Sequence, residues 1–406
     1  MRFLSLNYRS VLQNKESVVV VLLLFNAFSW YYLCRLAINK FGLPGCEYYL
    51  NTTYLISIMV SAIAGAVLFR SFEGLKALKI WILLGVFASL LIIPLPWWQS
   101  WKTFASISLL GTSLGFFMPF CLDLLIKVTT IKNRGKIGGI ILFATFSSVF
   151  FLYRSVSPLD PMLTGFSLAL WRFWSLPLIF LVREKHFSEA DAAAEKVQKF
   201  TSVLRNRTFL LYFMAWLMFS FIESFQTVIV SEKAAEFAFF VKTVEPYVAG
   251  FSAVVVGVIL DYVGRKRVLV FIFVFLGMAY AVLGLFPYSW VSWFFYSVAD
   301  GTATGLAFVL FMIVIWGEIS TGKSVNFYAI GEVPFFFAES LSLVLKPFLV
   351  LIPQSSSFSL ASFFLFIAVI PLVFAPETLP ERIIRERELR NYIERAKRIK
   401  EKFTKS

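Results

Sequence analysis

The chain has 406 residues; 59% are hydrophobic, 48 are Phe and only 15% are charged, which excludes a soluble domain of this length. Three cysteines, Cys34, Cys46 and Cys121, exclude a disulfide framework, although Cys34 and Cys46 could meet at one membrane face. The net charge of +14 lies in loops between apolar runs, so it reads as membrane topology and attraction to anionic lipid, with no nucleic-acid partner.

The apolar runs are about 18 to 25 residues long, enough for helices to cross a hydrocarbon core about 30 Å thick. Short alternating strands are absent, which argues against a closed barrel. Twelve spans are expected, at about 17–38, 48–69, 79–97, 103–126, 136–156, 160–182, 208–230, 247–264, 268–287, 291–317, 324–351 and 357–375. The first lacks a cleavage signature and has a counterpart in the second half, so it is retained in the mature chain. Two six-helix bundles follow, 1–182 and 208–375. Between them runs a cytoplasmic linker, 183–207, with a surface helix starting at Ser188-Glu189-Ala190-Asp191 and the single histidine, His186, as a solvated residue. A tail, 376–406, is dense in Arg, Lys and Glu and reads as a cytoplasmic amphipathic helix.

Loop charge alternates along the chain. Most of the 38 Lys and Arg fall on the side that holds both termini, whereas the opposite side carries Lys40, Lys102, Arg154, Lys233 and Lys242. The positive-inside bias therefore predicts a multi-pass protein of the cell membrane with both termini in the cytoplasm. Asn51-Thr52-Thr53 is a glycosylation sequon at an outer helix end, too close to the membrane to be used.

The chain also repeats itself at an offset of roughly 190 residues. Gly65 aligns with Gly257. Gly111-Thr112-Ser113-Leu114-Gly115 aligns with Gly301-Thr302-Ala303-Thr304-Gly305, and Leu176-Pro177-Leu178 aligns with Ile370-Pro371-Leu372. A doubled membrane chain implies two pseudo-symmetric bundles facing one site.

Between the eighth and ninth spans stands Gly257-Val258-Ile259-Leu260-Asp261-Tyr262-Val263-Gly264-Arg265-Lys266-Arg267. Gly257 allows close helix contact, Asp261 can cap the positive end of the next helix, and Gly264 permits a tight turn. The segment resembles the loop signature of the major facilitator superfamily. Lys132-Asn133-Arg134-Gly135-Lys136 resembles that superfamily's Arg-Gly loop after its fourth helix, and Pro376-Glu377-Thr378 resembles the motif found after the last helix of its sugar porters and some organic-ion carriers. The resemblance implies an all-α membrane protein of twelve transmembrane helices in two six-helix pseudo-symmetric bundles. It also implies a gating latch drawn from Gly257, Asp261, Gly264, Arg265, Lys266, Arg134 and Glu377. In the first half the latch is degenerate, with Phe69 where the aspartate belongs. The paired glutamines of sugar porters in the seventh span and the Gly-Pro motif of antiporters in the fifth are missing, so no subfamily is chosen.

Ionisable residues inside spans are costly and are candidates for function. They are Asp123, Glu223, Asp300, Glu332, Glu339, Arg35, Arg172 and Lys346. In the superfamily the first, fourth, seventh and tenth helices line the cavity, which nominates Tyr31, Arg35, Glu223, Gln226 and Asp300 as substrate-binding residues. Tyr31 and Arg35 share one helix face. Glu332, Glu339 and Lys346 recur every seven residues on one face of the eleventh span, too far apart to pair with one another. A buried acid without a cation is expected to hold its proton, which makes Glu223, Glu339 and Glu332 candidates for proton coupling. Asp123 is read as facing headgroups and Arg172 as structural, while Arg35 and Lys346 could snorkel outward.

The expected function is a secondary active transporter, symporter or uniporter, moving a small polar organic solute by alternating access and coupled to protons. The alternatives are a proton-driven multidrug or metabolite exporter and, in another class, a non-transporting sensor or lipid scramblase. No enzyme activity, cofactor or metal is expected; the partners are a solute, protons and membrane lipids, and the chain is read as a monomer. Intramembrane histidine, metal-ligand clusters and nucleotide loops are all missing from the sequence pattern.

Overall fold

The computed structural model describes residues 15–43, 45–68, 74–97, 100–181, 200–233, 235–237, 240–320 and 322–379. Most of the expected linker, His186, Phe69 and the tail beyond residue 379 lie outside the described residues, as do the side chains of Asp261 and Lys242. Among the described residues ten helices are long and apolar enough to cross a membrane. They are α1 Lys15–Phe41, α2 Glu47–Leu68, α4 Ser100–Val128, α5 Arg134–Val156, α6 Pro161–Ile179, α7 Arg207–Glu232, α9 Arg265–Leu285, α10 Trp290–Ile319, α11 Val325–Leu349 and α12 Gln354–Phe374. Two shorter helices complete the order: α3, Gly74–Leu90, and α8, Glu245–Val263. The twelve helices fall in the expected order, with ends shifted by a few residues from the sequence estimates.

Small residues determine where these helices touch. With no hydrophobic drive between helices in lipid, close approach of backbones is what brings van der Waals contact. Gly111 and Gly115 on α4 back onto the carbonyls of Tyr54 and Ile58 on α2, so closely that a Cβ would overlap them. Gly301 and Gly305 on α10 back onto the carbonyls of Glu245 and Ala249 on α8 in the same manner. The duplicated glycine motif therefore performs the same packing task twice.

The halves meet along two seams. One joins α2 to α11; the other joins α5 to α8. Along the α5–α8 seam Gly139 lies against the carbonyl of Ala253, and Gly257 against that of Gly135. Higher up, the rings of Phe150 and Tyr247 lie 5.7 Å apart. Gly65, the repeat partner of Gly257, backs instead onto Phe116 within its own half. The sequence repeat is thus kept within each half and broken between halves.

Two spans depart from regular helix. In α10, Val309–Val314 adopts the wider π-helical turn, a feature common near functional sites. The eleventh span breaks at Glu332, which ends one helical segment (Val325–Gly331) and begins the next (Val333–Leu349), with Pro334 in its first turn. Pro cannot donate the helical hydrogen bond, so the break falls where the sequence puts it.

Gly139→Val should force α5 and α8 apart and destabilise the protein by about 1–3 kcal/mol. Gly250→Ala is the control, because its Cβ would meet Phe146 at an ordinary 3.4 Å. Thermal unfolding in detergent should show a lowered midpoint for the first variant alone.

Candidate functional site

Where both halves meet, residues of α1, α2, α4, α5, α10 and α11 enclose a cavity of about 40 Å³. Its wall is aromatic and aliphatic, including Phe146, Phe308, Met312 and Phe336, with Tyr31, Tyr32, Thr145 and Glu332 as the polar contributors. Room of that size holds about one or two waters. Glu332 is buried and its Oε1 has no hydrogen-bond partner. The break in α11 and the π turn in α10 both border this space, since Glu332, Phe308 and Met312 lie at or beside them.

The two ends of the protein differ in loop charge, and each has its own lock. At the end opposite the basic loops, Arg35 on α1 forms an ion pair with Glu339 on α11. The Tyr31 hydroxyl donates to the other Glu339 oxygen at 2.9 Å. Farther out, the Lys346 ammonium pairs with Glu232 on α7 and donates to the Tyr48 hydroxyl on α2 at 2.7 Å. Glu339 and Lys346 thus find their partners on neighbouring helices, as their seven-residue spacing requires.

At the basic end Arg265 is the hub. Its guanidinium pairs with Glu318 at 3.0 Å, with side-chain exposures of 0% and 1%. It also donates to the Leu260 carbonyl at 2.6 Å and, across to the first half, to the Ile131 carbonyl at 3.1 Å. Thr378 donates to the second Glu318 oxygen at 2.8 Å. Glu377 accepts from the backbone N–H groups of Arg265 and Lys266 at 2.8 and 3.2 Å, where it caps the positive end of α9. The capping carboxylate expected from Asp261 is therefore observed from Glu377, while the Asp261 side chain lies outside the described residues. Gly264 sits at φ +103°, a conformation that only glycine adopts readily. Arg134 donates within its own half, to the Ile126 carbonyl at 3.2 Å.

Asp123 corrects one expectation. It does not face headgroups; it is buried and accepts from both the backbone N–H and the hydroxyl of Ser324 at 2.6 Å, joining α4 to the start of α11. Lys127 pairs with its other oxygen at 3.1 Å. Arg172 is fully buried, stacks over the Trp81 ring at 4.3 Å and donates to Asn26 at 2.7 Å. Cys34, Cys46 and Cys121 are all free thiols.

The remaining candidates separate. Gln226 turns into its own half and bonds Ser357 on α12. Glu223 on α7 and Asp300 on α10 come together, with Glu245 at the start of α8 as third member. Glu245 escaped sequence reasoning because its span appeared to start at residue 247. The helix in fact begins earlier, with Pro246 in its first turn, and a helix-starting Glu-Pro pair was the available signal.

No protein-family model matches this sequence, and no curated protein matches it by sequence. Solved structures do match it in shape. A proton:xylose symporter, XylE, bound to 6-bromo-6-deoxy-D-glucose is similar with a TM-score of 0.66 at 13% identity, over 90% of this chain and 96% of that one. The human organic anion transporter MFSD10 (TETRAN) aligns at a TM-score of 0.60 and 14% identity, over 88% of this chain and 99% of that one. A bacterial homologue of the iron transporter ferroportin in an outward-facing state aligns at 0.67 and 12%, over 88% and 98%. With its twelve helices, duplicated half and matching neighbours, this chain carries the major facilitator superfamily fold.

Proposed function

We propose that the protein is a secondary transporter that moves a small polar organic solute through the central cavity by alternating access. The observation that carries this reading is a cavity lined by both halves with a polar lock between the halves at each end. A cavity of about 40 Å³ would have to widen to admit an organic solute, which makes release of the locks part of the transport cycle. Opening toward one side would release Arg35 from Glu339; opening toward the other would release Arg265 from the Ile131 carbonyl and Asp123 from Ser324. Taking the basic end as cytoplasmic follows from the loop charges.

Glu332 is the proposed proton carrier. It lies in the cavity wall at a helix break, and an unpaired carboxylate at that depth is costly to ionise. Its protonation and the opening that wets it are therefore linked. Glu339 would contribute differently, by exchanging Arg35 for a proton as the outer lock opens. The shared fold with a proton:xylose symporter supports coupling of this kind. A second reading, a proton-driven exporter of an amphipathic metabolite or drug, is favoured by the aromatic cavity wall.

Reconstituted vesicles given a panel of solutes, with and without a pH gradient, test the transport reading. Glu332→Gln should leave downhill uptake intact but remove its response to the gradient; an unchanged response would rule out this carrier. For the outer lock, a Thr145→Cys reporter in a background without native cysteines reads cavity access from the side of Arg35. Glu339→Gln should raise its labelling by a membrane-impermeant thiol reagent by about tenfold, the effect of a population shift of about 1.4 kcal/mol. At the other end, Arg265→Ala leaves a buried Glu318 unpaired and should destabilise the protein by about 3–5 kcal/mol. The double variant with Glu318→Ala should lose less than the sum of the single losses in the same thermal assay.

A further inference from the structure

The second half contains a group of acids that the transport reading does not use. Carboxylate oxygens of Glu223, Glu245 and Asp300 all lie within 4.8 Å of one another, contributed by α7, α8 and α10. No salt bridge reaches any of the three among the described residues. The Tyr296 hydroxyl donates to Asp300 Oδ2 at 2.9 Å; beyond it the Asp300 carboxyl meets only the carboxyls of Glu223 and Glu245, so Asp300 Oδ1 and Glu223 Oε2 are buried with no partner outside the cluster. Three acids converging in a membrane interior with no cation beside them among the described residues is an expensive arrangement unless something positive neutralises them.

Unpartnered hydroxyls lie about one turn from the acids on the same helices. Ser297 is completely buried and its hydroxyl has no partner. In helical projection it falls between Asp300 and Gly301, and Gly301 backs onto the Glu245 carbonyl, so Ser297 lies on the side of α10 that carries Asp300 and meets the start of α8. Ser220, one turn before Glu223 on α7, is buried and unpartnered too, as is the Thr304 hydroxyl one turn after Asp300. A buried serine in a helix normally bonds a carbonyl of the preceding turn, as Ser340 does with Phe336. Ser220 and Ser297 do not, which leaves their oxygens available to a ligand.

We infer that Glu223, Glu245 and Asp300, with the Ser297 hydroxyl, form a binding site for a calcium-sized divalent cation. Every donor is an oxygen; the cysteines lie in the first half and the only histidine at position 186, so a soft or borderline metal finds no preferred ligand here. Calcium accepts irregular all-oxygen shells, whereas magnesium demands near-ideal octahedral geometry and gives up its water reluctantly, so three carboxylates and a hydroxyl drawn from separate helices suit calcium better. Because the ligands come from three helices, the bound ion would hold α7, α8 and α10 together within the second half. This site lies outside the central cavity wall, so the inference stands independently of the transport reading.

The test is equilibrium binding of radioactive calcium to the purified full chain in detergent, at neutral pH after removal of trace metal with a chelator. One saturable ion per chain is expected, with magnesium competing at least about tenfold more weakly. Asp300→Asn and Glu245→Gln should each reduce calcium affinity by about tenfold or more, since affinity follows the number of charged ligands. Ser297→Ala should weaken it less, and Gln226→Ala should leave it unchanged. Monodispersity on size exclusion confirms that each variant is folded. Absence of saturable calcium uptake by the wild-type chain overturns the inference whatever the variants do, and would leave the cluster as a proton store. Full affinity retained in both carboxylate variants overturns it equally. Neither result touches solute uptake, which is measured separately.

Discussion

Inside a membrane no water is at hand to neutralise an ionised side chain, so each charge must be met by an opposite charge, a dipole or a ring. Most of the described charges within the spans have such a partner. Arg265 takes Glu318 and two carbonyls, Arg35 takes Glu339, Asp123 takes Ser324 and Lys127, and Arg172 lies over Trp81. Several of these partners come from opposite halves, and that choice holds the halves together at both ends. Among the described residues, Glu332 and the cluster of Glu223, Glu245 and Asp300 stand apart as acids with no cation beside them. They are the positions to which coupling and cation binding are assigned.

Aromatic packing builds the scaffold around those charges. Trp216 stacks on Phe219 and on Phe311, and Phe219 stacks in turn on Phe273, so that a column of rings joins α7, α10 and α9. Large rings fill space between helices where small residues would leave voids, and their offset contacts are worth about 0.5–1.5 kcal/mol beyond area alone. Where glycines stand instead, backbones touch. The alternation of ring-filled and glycine-filled contacts sets which helix pairs are close and which leave room for a cavity.

Much of the architecture was legible in the sequence because it is local. Span length, loop charge and the repeated Gly111/Gly115 and Gly301/Gly305 pairs depend on residues near one another, and helix order followed from them. The partners of the charged side chains were not legible. Glu339 and Arg35 are 304 positions apart, and only the relative placement of the two bundles brings them together. Asp123 was misread for the same reason: its partner, Ser324, is 201 positions away. At the loop signature around Gly264, the carboxylate that caps the next helix comes from Glu377, 112 residues on. A repeat analysis also could not foresee that Gly257 would serve a seam between the halves and Gly65 a contact within one, because symmetry within halves places no demand on contacts between them.

The cap on α9 has a bearing on how the chain is made. A ribosome delivers α9 to the membrane well before Glu377 and Thr378 exist, so the amide groups of Arg265 and Lys266 wait for partners through the synthesis of three more spans, and one oxygen of Glu318, at the end of α10, through two. During that interval the Arg265–Glu318 junction is incomplete and the second half is held chiefly by its glycine contacts and stacked rings. Assembly of this protein is therefore completed from its far end: a short segment after the last span fixes the basic end of the second half once it emerges.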